Sequence, residues 1–196
     1  MRYIVLLRGI NVGGKNKIKM IELKNMFESL NFKNVRTYIQ SGNVIFDYKP
    51  TKTVDLANFI EIKISETFGF FVKTIVLMDE ELRNIVNNNP YINDPNVELD
   101  KLHVVFMLDT PDPKLVLLLD VKKEENEKFL MISREIYLYC PNGYGKTKLN
   151  NVMFEKKLKT VATTRNWKTI NNIVQLPVIL ESLESLLVLH SFLKLL

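Results

Sequence analysis

Two rhythms of hydrophobic and polar positions alternate along this chain. Residues 3–7 form an unbroken β-branched and aliphatic run and predict a buried strand that stops at Arg8. Over residues 20–30 the apolar positions are Met20, Leu23, Met26, Phe27 and Leu30, the three-and-four spacing of an amphipathic helix. Residues 35–39 read as extended, Gln40-Ser41-Gly42-Asn43 turns the chain, and residues 44–46 return as a strand. Helical spacing resumes over residues 54–68 through Leu56, Phe59, Ile60 and Ile64. Residues 71–78 predict a strand, and Asp79-Glu80-Glu81 opens a short helix that ends in an asparagine run before Pro90.

This order, β-α-β-β-α-β, is the split-βαβ or ferredoxin-like pattern. The second half repeats it less cleanly. Residues 102–108 predict a strand, and Asp112-Pro113 opens a short helix with proline at its first position. Residues 129–132 and 136–140 pair as a hairpin about Ser133-Arg134. A loop holds Gly143 and Gly145, helices follow from Lys146, and Thr163 or Thr164 serves as an N-cap for the helix containing Ile170, Ile173 and Val174. The expected fold is therefore α+β: two ferredoxin-like (split βαβ) subdomains from an apparent duplication, with antiparallel-rich sheets and helices packed on them. The first subdomain is expected over 1–92 and the second over 93–176. Residues 177–196 form an apolar tail, expected to be helical and a candidate for contact with another chain.

Composition narrows the class. Hydrophobic residues are 46% and charged residues 25% of the 196, which excludes a disordered chain. A single cysteine, Cys140, excludes an internal disulfide framework, and no Cys/His cluster suggests a structural zinc. The initial apolar run stops at Arg8, too short for a signal peptide, and no run is long enough to span a bilayer. The expectation is a cytoplasmic protein with no membrane partner, no metal and no cofactor.

Net charge is a modest +5, but its distribution is uneven. Arg2, Arg8, Lys15, Lys17 and Lys19 crowd the first twenty residues with no acid among them. Lys146, Lys148, Lys156, Lys157, Lys159, Arg165 and Lys168 stand against Glu155 alone over 140–176. If folding joins the two segments, they form one positive surface suited to nucleic acid or another phosphorylated ligand; otherwise they are two separate solvated faces.

Two glycine loops approach a phosphate-binding P-loop, and each misses by one residue. Gly9 to Lys15 lacks the hydroxyl residue after lysine, because Asn16 stands there, and Gly145-Lys146-Thr147 lacks the first glycine, replaced by Cys140. Both lead from strand towards helix, where free N–H groups and nearby lysines favour an anion without P-loop chemistry. The candidate binding residues are Arg8, Asn11, Lys15, Lys17, Lys19, Lys146, Lys148, Arg165, Asn166 and Lys168. Tyr38, Gln40, Ser41 and Asn43 are added as a polar turn able to read a ligand, which is equally a plain tight turn. Trp167, the only tryptophan, is either a stacking surface or a core anchor. No acid, base and nucleophile arrangement emerges, so no catalytic residue is assigned. An enzyme acting on a small phosphorylated or nucleotide-like substrate remains an alternative, marked by a pocket joining Gln40, Asn43 and Arg165. A protein-interaction role for the tail is a third.

Several long motifs carry a resemblance. Leu6-Leu7-Arg8-Gly9-Ile10-Asn11-Val12-Gly13-Gly14-Lys15-Asn16, with Lys19-Met20 and Leu23, resembles the opening of the bacterial domain-of-unknown-function family 1697. Thr37-Tyr38-Ile39-Gln40-Ser41-Gly42-Asn43-Val44 is similar to its second block. Tyr144-Gly145-Lys146-Thr147-Lys148-Leu149 and Ala162-Thr163-Thr164-Arg165-Asn166-Trp167-Lys168-Thr169 are similar to its closing blocks. The resemblance spans about residues 3–176 and implies a cytoplasmic bacterial protein of two similar α+β halves. It implies no reaction.

Overall fold

The computed structural model describes residues 1–176, so the expectation of a helical, self-contacting tail over 177–196 lies outside the described residues. The first four strands are β1 (Arg2–Leu7), β2 (Lys33–Tyr38), β3 (Asn43–Asp47) and β4 (Thr74–Met78), in the sheet order β2-β3-β1-β4. The second four are β5 (Leu102–Met107), β6 (Lys128–Ile132), β7 (Glu135–Tyr139) and β8 (Ala162–Asn166), in the order β6-β7-β5-β8. Every pairing is antiparallel, and the two orders superimpose strand for strand. In each sheet a helix crosses from the first strand to the edge strand while the third strand inserts between them. That is the ferredoxin-like arrangement, present twice.

Helices α1 (Met20–Ser29) and α2 (Thr53–Phe68) cover one face of the first sheet, and α4 (Pro113–Leu117) and α5 (Asn151–Leu158) cover one face of the second. Strand alternation sorts the core. Tyr3, Val5 and Leu7 point into the α1/α2 layer, whereas Ile4 and Leu6 point the other way. Those second faces, with α3 (Asp79–Asn87) and α6 (Trp167–Gln175), share a central cluster that includes Ile4, Leu6, Leu77, Val104, Phe106 and Ile170. The central strands are therefore covered on both faces, which is why β1 reads as a continuous apolar run rather than an alternating one.

Two local expectations are corrected. Residues 146–150 are not helical; α5 starts at Asn151 with Asn150 as its cap, accepting a hydrogen bond from the Met153 amide at 3.1 Å. Thr163 and Thr164 belong to β8 rather than to a helix cap. The cap of α6 is Asn166, whose side chain accepts from the Thr169 amide at 2.7 Å. β8 escapes a hydrophobicity reading because its buried positions are Ala162, Thr163 and Arg165, two of them polar, with Arg165 bonded to Thr163 and across to the first half.

Candidate functional site

The two basic segments meet through Arg2, Arg8 and Arg165. Arg8, leaving β1, forms a two-pronged ion pair with Glu155 on α5, both N–H···O distances 2.8 Å. Glu155 also accepts from the Ala162 amide at 2.9 Å, the first residue of β8. Burial alone would raise the Glu155 pKa, but the Arg8 hydrogen bond, the Ala162 amide and the Arg8 charge outweigh it and hold the carboxyl below its usual range. The Arg8 guanidinium is correspondingly raised, chiefly by its bond to Glu155. A depressed carboxyl stabilises the fold above the unfolded glutamate pKa, about 4.3, and that contribution is lost as pH falls through the depressed value. Thermal melts between pH 7 and 3 are thus expected to fall more steeply for the wild type than for Glu155→Gln. Parallel profiles would show that the pair contributes nothing.

Arg165 is another link between halves, and it is buried. Its Nε donates to Asn43 Oδ1 at 2.5 Å, and Nη1 donates to Thr163 Oγ1 and the Thr164 carbonyl at 2.8 and 2.9 Å. Nη2 donates to the carbonyls of Leu7 and Ser41 at 2.9 and 3.0 Å. No carboxylate pairs with it among the described residues, and burial lowers its pKa to about 10, which leaves it charged at neutral pH. The cation is held entirely by neutral oxygens, most of them on the β1 end and the β2–β3 turn of the first half.

Several residues expected to contact a ligand have polar atoms engaged within the protein. Asn43 is buried and holds Arg165; its amide donates to the Tyr38 carbonyl and to Ser41 Oγ. Asn11 staples its own loop, accepting from the Ile18 amide and donating to the carbonyls of Ile18 and Gln40. Trp167 is 7% exposed and packs in the central core, and Tyr38 packs against the same cluster with its hydroxyl accepting from the Asn172 amide group. Trp167 is thus a core anchor, while Tyr38 is half-buried. Gln40 lines a cleft with Asn11, Lys17 and Lys19, whereas Asn43 and Arg165 are buried. Lys19 there lies 3.2 Å from Glu22. Lys15, Lys146, Asn166 and Lys168 are exposed.

What α5 does build is a cleft of about 930 Å³ between itself and the Arg8 end of β1. Lys148 stands before the helix and Lys156, Lys157 and Lys159 at its far end, with Tyr144, Asn150, Asn151, Val152 and Met153 between. All four lysines are exposed; among the described residues Lys148 approaches Glu124 at 4.0 Å and the other three make no ion pair. Lys159 occupies the left-handed C-cap of α5, φ 55°, a position glycine usually fills. Beneath the cleft the Tyr144 hydroxyl donates to Thr164 Oγ1, which donates to Asn151 Oδ1. The Tyr144 ring stacks on His103 with centroids 4.9 Å apart. Desolvation lowers the His103 pKa and raises that of Tyr144. The Cys140 thiol is buried and pushed up to about 11, mainly by desolvation, so it offers no ready nucleophile.

The duplication supplies an internal control. A smaller cavity of about 170 Å³ lies along α2 and the end of β5, the corresponding place in the other half. There Glu61 accepts from the Thr74 amide, the first residue of β4, as Glu155 does from Ala162. Its charged groups are Glu61, Lys73, Asp109 and Arg134, of both signs. Only the α5 cleft has become uniformly basic around its rim. Sequence reasoning counted Lys156, Lys157 and Lys159 as charge without placing them at a site. The signal was present in the run Lys156-Lys157-Leu158-Lys159 beside a buried Phe154 and Leu158 on one helix.

Residues 1–137 match the family model described as protein of unknown function, DUF1697. No curated protein matches the chain. Among solved structures, the conserved bacterial protein SP0830 from Streptococcus pneumoniae is similar, 28% identical with a TM-score of 0.70, over 89% of this chain and 97% of that one.

Proposed function

We propose that this chain, which belongs to the DUF1697 family, is a binding module for a phosphorylated ligand, held in the cleft along α5. The observation that carries the reading is the convergence of Lys148, Lys156, Lys157 and Lys159 on one concavity, three of them without an ion pair among the described residues. A cleft lined by one sign of charge concentrates anions of the other sign. Two further points support it. Arg8 and Glu155 neutralise each other at the base and fix α5, so the net positive charge belongs to the lysines. The corresponding cavity of the other half carries mixed charge, so basicity is not a by-product of the fold.

The joint surface expected from both basic segments is thereby reduced to the second one plus the Arg8 scaffold. Inorganic tripolyphosphate titrated into isotopically labelled protein is the test. Amide signals of residues 148–159 are expected to shift, while those of residues 13–19 stay in place. Shifts confined to residues 13–19, or none anywhere, would refute the assignment.

A further inference from the structure

The shape of the cleft restricts its ligand further. Its cations sit at the two ends of α5, Lys148 before the first turn and Lys156, Lys157 and Lys159 at the last. An eight-residue helix rises about 12 Å. A single phosphate centred on one set is therefore remote from the other, and the ligand that satisfies both carries at least two separated phosphates.

Between the two charged ends the wall is not basic. Val152 is 69% exposed there, Met153 and the Tyr144 ring line the same space, and Asn150 and Asn151 contribute amides. The Asn151 carbonyl oxygen is engaged by Thr164 and the Asn150 oxygen by the Met153 amide. Their amide nitrogens have no partner among the described residues and remain as donors. A polyphosphate or phosphosugar leaves the apolar part of this wall uncovered. A nucleobase covers it, and against Tyr144 it extends a stack already begun by His103. The cleft, about 930 Å³, has room for a short run of nucleotides. A duplex hides its base faces.

We infer that the ligand is a single strand of nucleic acid, its phosphates on the lysines at the two ends of α5 and a base against Tyr144, Val152 and Met153. This rests on the anion-binding reading above and narrows it. The test is fluorescence anisotropy of a fluorescein-labelled 12-nucleotide DNA strand of mixed sequence, competed by the unlabelled strand, by its duplex and by inorganic tripolyphosphate. At equal phosphate concentration the strand is expected to compete at least tenfold better than either rival, and binding weakens steeply as salt rises. Val152→Ser, at an exposed position that leaves the fold intact, is expected to weaken strand binding about threefold and leave tripolyphosphate binding unchanged. Equal competition by strand, duplex and tripolyphosphate would overturn the strand proposal while leaving the anion cleft standing. Absence of binding by all three would overturn both.

Discussion

Arg165→Met is expected to destabilise the protein by about 4 kcal/mol or more, because truncating the guanidinium strands several buried acceptors at once. Those acceptors are Asn43 Oδ1, Thr163 Oγ1 and the carbonyls of Leu7 and Ser41, at 2.5 to 3.0 Å. Each loses its donor in a place water does not reach. For a chain of this size the melting temperature falls by roughly 10 °C. Arg165→Lys is not expected to rescue it, since one ammonium cannot follow a planar fork whose donors diverge towards β1, β3 and β8. A melting temperature within two or three degrees of wild type would show that the Arg165 network does not hold the halves together. The turn that Arg165 grips also holds Ile39 at φ 48°, an unfavourable conformation for a β-branched residue that persists only where the surroundings enforce it.

Gly42→Ala is expected to cost about 2 to 4 kcal/mol through two effects that add. Gly42 has φ +77°, and a Cβ there would stand 2.8 Å from Leu7 Cβ and 2.8 Å from Ile10 Cδ1. The isoleucine tip can move, but Leu7 Cβ is fixed by β1. Its amide bonds the Gly42 carbonyl at 2.8 Å, so backing away breaks that bond. Gly14, at φ +76° with nothing within 4 Å of its notional Cβ, separates the two effects. Gly14→Ala is expected to carry only the conformational part, about 1 kcal/mol. Equal losses at Gly14 and Gly42 in chemical denaturation would show that the close approach to Leu7 does not matter.

Most of the architecture was legible because burial and period coincide. β1, β3 and β4 are dry on both faces and read as apolar runs, and α1 and α2 show their inward stripe directly. β8 was not legible, because its buried positions include Thr163 and Arg165, whose stability depends on oxygens 122 to 158 residues away in sequence. A single sequence cannot show that a buried arginine is satisfied. The same blindness affected the site. Arg8, Asn11, Asn43 and Arg165 are the residue types a ligand site uses, and here they fasten loops and halves together. The lysines that remain free are ordinary in sequence, and only the cleft gives them a common direction.

The proposed site sets the α5 lysines, rather than the glycine loop, against the anion. Isothermal titration with tripolyphosphate of the wild type, of Lys156→Glu/Lys157→Glu and of Lys15→Glu/Lys17→Glu decides this. All four residues are exposed, so both double variants are expected to keep the wild-type melting temperature. At least a tenfold loss of affinity, about 1.4 kcal/mol, is expected for the α5 variant and no change for the loop variant. Unchanged binding by the α5 variant alongside weakened binding by the loop variant would contradict the proposed site.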